Sequence, residues 1–410
     1  VKMKKVYIVD EHISSKQNGV GTYMKCLLSC LEDLDVDVNF LSFNSENRFF
    51  AVYEEKHCRY YNFPLCNHGK FLETGALCWL ILKMYVDDSC DNVFFVNHSP
   101  CTDFLKNLRR YYRKSRIVFT IHDQGWTAPL LGDKEKLREI KRKRIGKSQI
   151  HQTEYFCKKY FIEEQKMYHI VDDVVCLSPT TRQLLHDTYD VPEEKIHLIP
   201  NGLSVRVRKC AYSERNRIRE ELGIAPEERV LLFVGRTVKA KGIEILLKAF
   251  EELCRHHSNL RLVIAGEVFK LNEFSKLASQ SVTRITYTGL LPKERLEMWY
   301  QAADIGVLPS YTEQCSYTGL EMMANGLLIV TTNGNGLTDM FIPDYNALVA
   351  SIDSSFPENL ERTLHQALLL EDNIREAIRG KALEFVNSNY SLQSMKERYR
   401  KLLSQESRPD

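Results

Sequence analysis

Glu313 and Glu321 stand eight positions apart in the stretch 303–326, and two carboxylates at that spacing can grip hydroxyls of one extended polyol. The stretch reads as strand, loop, helix, glycine stop and next strand. Pro309-Ser310 ends the strand, Glu313 lies on the loop, and Ser316 has the side chain of an N-cap. Glu321 then falls about one turn further into the helix. Backbone N–H groups at such a helix start, together with the positive end of its dipole, favour an anionic phosphate.

Three further segments carry residues of the same chemical kind. Val234-Gly235-Arg236 precedes Lys241-Gly242 where a strand pattern runs into a helical one over 243–250. Gly235 permits close backbone approach, and Arg236 and Lys241 place two cations at a helix start. Charge-assisted contacts to a diphosphate contribute roughly 1.5–3 kcal/mol each; a solvated basic loop has the same composition. Near the N-terminus, Asn18-Gly19-Val20-Gly21-Thr22-Tyr23 follows a strand at 6–9 and opens a helix, as a ligand loop or an ordinary turn would. The strand at 117–121 ends in His122-Asp123, with Trp126 close behind. A His at the C-terminal end of such a strand is placed to meet substrate, and Asp123 reads equally as a structural partner for that imidazole.

Embedded in A-D-I-x-V-L-P-S-x-x-E and G-L-E-M-M-A-x-G, the glutamate pair resembles the E-x7-E motif of the GT-B glycosyltransferases of family GT4. The segment from Val234 to Lys241-Gly242, continued by Leu246, Leu247, Ala249 and Phe250, is similar to the same family's V-G-R…K-G-x-x-x-L-L-x-A-F pattern. The resemblance implies that Glu313 contacts hydroxyls of the transferred sugar, Glu321 the nucleotide ribose, and Arg236 and Lys241 the donor pyrophosphate. It further implies that Gly235 lies by the donor, that Gly19 and Gly21 border donor sugar and acceptor, and that His122 lies beside the transferred sugar. Asn18 replaces the first glycine of the family's loop. I-T-Y-T-G-L-L resembles the loop framing the base, which brings in Gly289 and Leu290. Gln314-Cys315-Ser316, followed by Tyr317, stands where relatives often carry Gly-Phe-Gly, so side chains are expected beside the sugar. Retention at the anomeric carbon, a hexose-type nucleotide-sugar donor with UDP favoured over GDP, and no metal requirement all follow from the resemblance alone.

These residues need a frame that holds strand ends side by side. Short apolar runs at 6–9, 38–43, 93–96, 117–121 and 174–177 alternate with helical patterns, and 230–234, 262–264, 285–288, 305–308 and 328–331 repeat the plan. Buried parallel sheets read this way, which gives an α/β fold class. A break near Ile199-Pro200-Asn201-Gly202 and the basic stretch 204–209 separates the two series. Two doubly wound domains are expected, and the family resemblance makes them the Rossmann-like halves of a GT-B fold, 1–203 on the acceptor side and 204–388 on the donor side. By the family resemblance, a C-terminal helix in 389–410 returns to the first domain across the cleft.

Composition narrows the classes. The net charge of +2 demands no nucleic-acid partner, and 44% hydrophobic residues suit a globular core. The twelve cysteines include no C-x-x-C pair, and several sit in apolar runs, which reads as reduced and cytoplasmic. The run at 6–9 is strand-like, not the apolar region of a signal peptide. No zinc spacing or phosphate-binding G-x-x-x-x-G-K-[ST] loop occurs, and Asp35-Val36-Asp37 enters a strand at its wrong end for a metal-dependent D-x-D site. Two basic stretches stand out: 106–116 with six Lys or Arg, and 134–147 with eight against two acidic residues. They read as peripheral contact with the inner face of a membrane or as solvated helix faces. The acceptor (glycan, lipid-linked sugar or peptide) is left open. Two rivals share the architecture: a nucleotide-sugar epimerase, and a non-catalytic nucleotide-sugar-binding protein.

Overall fold

The computed structural model describes residues 3–10, 19–45, 47–55, 58–64, 76–97, 101–144, 152–203, 211–268 and 271–405. Asn18, the stretch 204–209 and Lys147 lie outside the described residues. The chain divides into two compact units, Val1–Gly202 with Leu392–Asp410, and Leu203–Ser391.

The first unit runs β1 (Lys4–Asp10), α1 (Gly19–Glu32), β2 (Val36–Ser45), β3 (Ala51–Glu55), β4 (Cys58–Pro64), α2 (Ala76–Lys83), β5 (Asn92–Val96) and α3 (Thr102–Tyr111). It continues with β6 (Arg116–Thr120), α4 (Lys134–Arg142), α5 (Thr153–Ile170), β7 (Asp173–Cys176), α6 (Pro179–Asp187) and β8 (Ile196–Leu198). The eight-stranded sheet has the order β3-β4-β2-β1-β5-β6-β7-β8. Its pairs are parallel except β3 with β4. Central strands such as β5 and β6 are buried at every residue, as apolar runs without alternation require. The order reverses between β1 and β5, the topological switch point of this sheet. Helices start where caps dictate: Ser178 accepts the Thr181 N–H, and Pro179 occupies the first position of α6.

The second unit runs α7 (Tyr212–Glu221), β9 (Arg229–Val234), α8 (Ile243–His256), β10 (Leu260–Ala265), α9 (Leu271–Leu277), β11 (Ile285–Gly289) and α10 (Lys293–Ala302). There follow β12 (Ile305–Leu308), α11 (Tyr317–Ala324), β13 (Leu328–Thr332), β14 (Leu348–Ala350), α12 (Phe356–Leu369) and α13 (Asp372–Asn389). All pairs of its six-stranded sheet, order β11-β10-β9-β12-β13-β14, are parallel. Leu246, Leu247 and Phe250 of α8 bury against this sheet's apolar strands. Here the order reverses between β9 and β12.

The last helix, α14 (Leu392–Ser404), packs in the first unit against α1. The Tyr399 and Tyr23 hydroxyls lie 2.5 Å apart. Arg116, at the start of β6, donates to the Leu402 carbonyl at 2.8 Å, satisfying an orphan acceptor at the end of α14. The same guanidinium is paired with buried Asp173 at 2.6 Å. Much of the 106–116 charge is spent in this way: Arg109 pairs with Asp172, and Lys106 with Asp103.

Candidate active site

In the second unit the C-terminal ends of β9 and β12, on either side of the switch point, place Lys241 and Glu313 together. The Lys241 ammonium lies 2.6 Å from Glu313 Oε1, and the Ser310 hydroxyl donates to the same oxygen at 2.8 Å. Lys241 is partly exposed and the Glu313 side chain is only 9% accessible, so the carboxylate is fixed from one side. The backbone enforces this placement. Gly242 has φ 70°, and a Cβ there would come 1.9 Å from the Pro309 carbonyl oxygen. Gly336 has φ 73°, and its Cβ would meet the Glu313 carbonyl oxygen at 2.0 Å. Hydrogen bonds from Tyr311 N–H to Ala240 O and from Glu313 N–H to Asn335 O, both 2.9 Å, complete the clamp on the loop.

Arg236, just beyond β9, is exposed, and its side chain has no hydrogen-bond or ion-pair partner among the described residues. Gly235 directly follows β9 and Gly289 ends β11, both at the C-terminal edge of the sheet, with Leu290 exposed beside Gly289. Glu321 is one turn inside α11, partly buried, where burial raises its carboxyl pKa and the Tyr300 hydroxyl, donating at 2.8 Å, opposes the rise. Ser316 caps α11 by accepting the Gly319 N–H, while its own N–H points at the Met340 sulfur. Cys315 and Tyr317 are buried and Gln314 is partly exposed, so of the segment 314–317 only Gln314 has substantial side-chain exposure. Ser310, Tyr300 and Gly336 were not singled out from sequence for these roles; only the glycine carried a local signal.

In the first unit Gly19 and Gly21 occupy the first turn of α1. Tyr23, from the next turn, meets the His122 ring edge-on at 4.4 Å between centroids. The glycine segment and the end of β6 are therefore neighbours. Asp123 Oδ1 accepts from the Gln124 N–H and the Thr127 hydroxyl, forming the turn that follows. That turn is anchored by Glu164, buried in α5, which accepts from the Gly125 N–H at 2.6 Å and the Tyr189 hydroxyl at 2.5 Å.

Burial pushes the Glu164 carboxyl up to about 7, against the lowering effect of those two bonds. A raised folded-state pKa means stability present below about pH 4.5 and lost as pH rises through about 7, by roughly 3 kcal/mol at most. Glu164→Gln keeps a neutral acceptor for Gly125. Urea unfolding of this variant is expected to lack that decline, so its advantage over the wild type grows between about pH 5 and pH 8. Parallel pH profiles would show that Glu164 titrates normally.

Among the described residues no group of three or more His, Cys, Asp or Glu is arranged to hold a metal ion. Described cysteines are free thiols. No described helix is long and apolar enough to cross a membrane.

Residues 214–385 match the family "Glycosyl transferases group 1", and residues 17–206 match "Glycosyltransferase Family 4". The alpha-monoglucosyldiacylglycerol synthase of Streptococcus pneumoniae is 30% identical over 181 residues, 43% of this chain and 40% of that protein. The chain spans between 40% and 61% of the length of the first curated relatives it matches. The sucrose-phosphate synthase of Thermosynechococcus elongatus has a similar fold, with TM-score 0.77 and 18% identity over 97% of this chain and 98% of that one. The Anabaena protein HepE, solved with UDP-glucose, superposes with TM-score 0.68 and 15% identity, covering 98% and 99% of the two chains.

Proposed function

The chain belongs to the family 4 glycosyltransferases of GT-B fold, and from that premise we propose that it moves a hexose-type sugar from a UDP-sugar to an acceptor with retention and without a metal. The observation carrying this reading is the Lys241–Glu313 pair at the switch point between β9 and β12, where doubly wound sheets bind nucleotides. On donor binding, Lys241 turns to the diphosphate together with unpaired Arg236, and Glu313 accepts from a sugar hydroxyl in place of the ammonium. Both cations then stabilise charge developing on the leaving diphosphate as the bond to the anomeric carbon breaks. The start of α11 adds its dipole. Glu321, held by Tyr300, takes the ribose hydroxyls, and Gly289 and Leu290 frame the base. Displacement occurs on the face the diphosphate leaves, which retains configuration. UDP is favoured because a fold neighbour binds UDP-glucose. A glycan, a lipid-linked sugar or a peptide is the acceptor class, and the S. pneumoniae relative, named for a glucosylated lipid, favours lipid among them.

A thermal-shift panel of UDP-, GDP- and ADP-sugars in EDTA tests the donor. A ligand at about a hundred times its Kd stabilises by about 2.7 kcal/mol. The UDP-sugars are expected to raise Tm, and a flat response across the panel rejects the reading.

A further inference from the structure

At the opposite end of the second unit's sheet from Lys241 and Glu313 lies a cavity of about 350 Å3. Arg229 opens β9, so the length of that strand, about 17 Å for its six residues, separates the cavity from the candidate donor residues. Arg215, Arg229, Arg375 and Arg379 line the cavity, against the acidic residues Asp304 and Glu376. Their concentration has a local cause. Helices of a parallel α/β unit run against its strands, so α10, α11 and α12 all end at this edge with orphan carbonyls. Arg215 and Arg219 donate to the Ala302 carbonyl at 3.0 and 2.9 Å, Arg375 to the Leu370 carbonyl at 2.9 Å, and Arg379 to the Gly326 carbonyl. These four arginines cap helix ends.

Arg229 has no such role. Its side chain is 47% exposed, makes no hydrogen bond among the described residues, and meets Asp304 only at 3.6 Å. Asp304 is already shared, accepting from Arg215 at 2.9 Å, Arg219 at 3.4 Å and the Val230 N–H at 2.8 Å. One carboxylate thus faces three guanidiniums. Glu376 pairs with Arg379, and Arg375 relies on Asp372, whose side chain is 92% exposed and screened by water. The lining therefore holds four cations against two anions, with the planar fork of Arg229 open to an oxyanion. Gln301, whose side chain has no partner among the described residues, and Asn325 add amides that suit hydroxyl groups. The volume lies at the small end of ligand pockets, about 300–1,000 Å3, and leaves room for more than a phosphate group.

We propose that this cavity binds the phosphate monoester of a small polyol, with Arg229 on the phosphate and Gln301 and Asn325 on the hydroxyls. The inference does not depend on how a sugar nucleotide is used. Isothermal titration of the 410-residue chain with glucose 6-phosphate, in EDTA and about 0.1 M salt, should show saturable binding. Inorganic phosphate should bind more weakly, and glucose should give no binding heat. Arg229→Gln should weaken glucose 6-phosphate binding by about 10- to 100-fold, the size of one charge-assisted contact. Gln301→Glu, which sets a carboxylate among the guanidiniums, should weaken it by a similar factor. Both side chains are partly exposed, and circular dichroism of the two variants should match wild type. Lys241→Ala should leave this binding unchanged, which separates the cavity from the site proposed for the donor diphosphate. Absence of binding by the wild type overturns the proposal, as does unchanged binding in either folded cavity variant. Loss of binding in Lys241→Ala overturns it by placing the ester at the diphosphate site. Inorganic phosphate binding as tightly as the ester overturns the assignment of a polyol.

Discussion

Glu313→Ala is expected to lower the rate of sugar transfer by about 10²- to 10³-fold while leaving the melting temperature within a few degrees of wild type. The rate effect follows from losing the group proposed to orient the sugar, which also holds Lys241 in place; removal of one such stabilising contact commonly has that size. The modest stability effect follows from exposure: Lys241 is 26% accessible and can be solvated when its partner is gone. Lys241→Ala should give a loss of similar size. The two substitutions act on one ion pair 2.6 Å long, so the double variant should lose much less than the product of the two single losses. Steady-state release of nucleoside diphosphate by the four proteins measures this. Unchanged turnover in Glu313→Ala would remove the glutamate from the mechanism, and fully multiplicative losses would show that the pair does not work as a unit.

Gly242→Ala should be harsher, because it acts on the backbone that makes the pair. Its φ of 70° strains any L side chain, and the new Cβ would sit 1.9 Å from the Pro309 carbonyl oxygen. That oxygen belongs to the chain turning out of β12 and cannot swing aside as a side-chain tip would. The turn after β9 must separate from the loop after β12, carrying Lys241 away from Glu313. We expect about 2–4 kcal/mol lost from unfolding in urea and near-complete loss of UDP-sugar binding. Wild-type stability with full donor affinity in Gly242→Ala would show that the contact between these loops is soft.

How much of this could be read from residues alone differs by element. Strands such as β9, β12 and β13 announce themselves as β-branched or apolar runs, because parallel strands covered on both faces need no alternation. The hairpin β3–β4 does not: Ala51–Glu55 is mostly exposed at a sheet edge, and its polar residues look like loop. Glu313, Glu321, Arg236 and Lys241 stood out through local motifs, but the Lys241–Glu313 contact joins residues 72 positions apart and depends on strand order. Tyr300 gave no sign of its bond to Glu321, since a Tyr near the end of an amphipathic helix usually packs in a core. Glu164 was equally silent, lying in a run of charged residues where a buried carboxylate looks like a solvated one. Cys315 and Tyr317, whose side chains are expected beside the sugar, are buried at the start of α11.

Transfer of a sugar differs from its rearrangement or mere binding in consuming an acceptor. Proton NMR of wild-type protein incubated in EDTA with UDP-glucose and a lipid-plus-glycan acceptor extract tests it most directly. Free UDP is expected together with a new α-anomeric signal on the acceptor, both absent without the acceptor and strongly reduced in Glu313→Ala. Conversion of UDP-glucose to an epimer with no acceptor present, or intact donor bound without turnover, would contradict transfer.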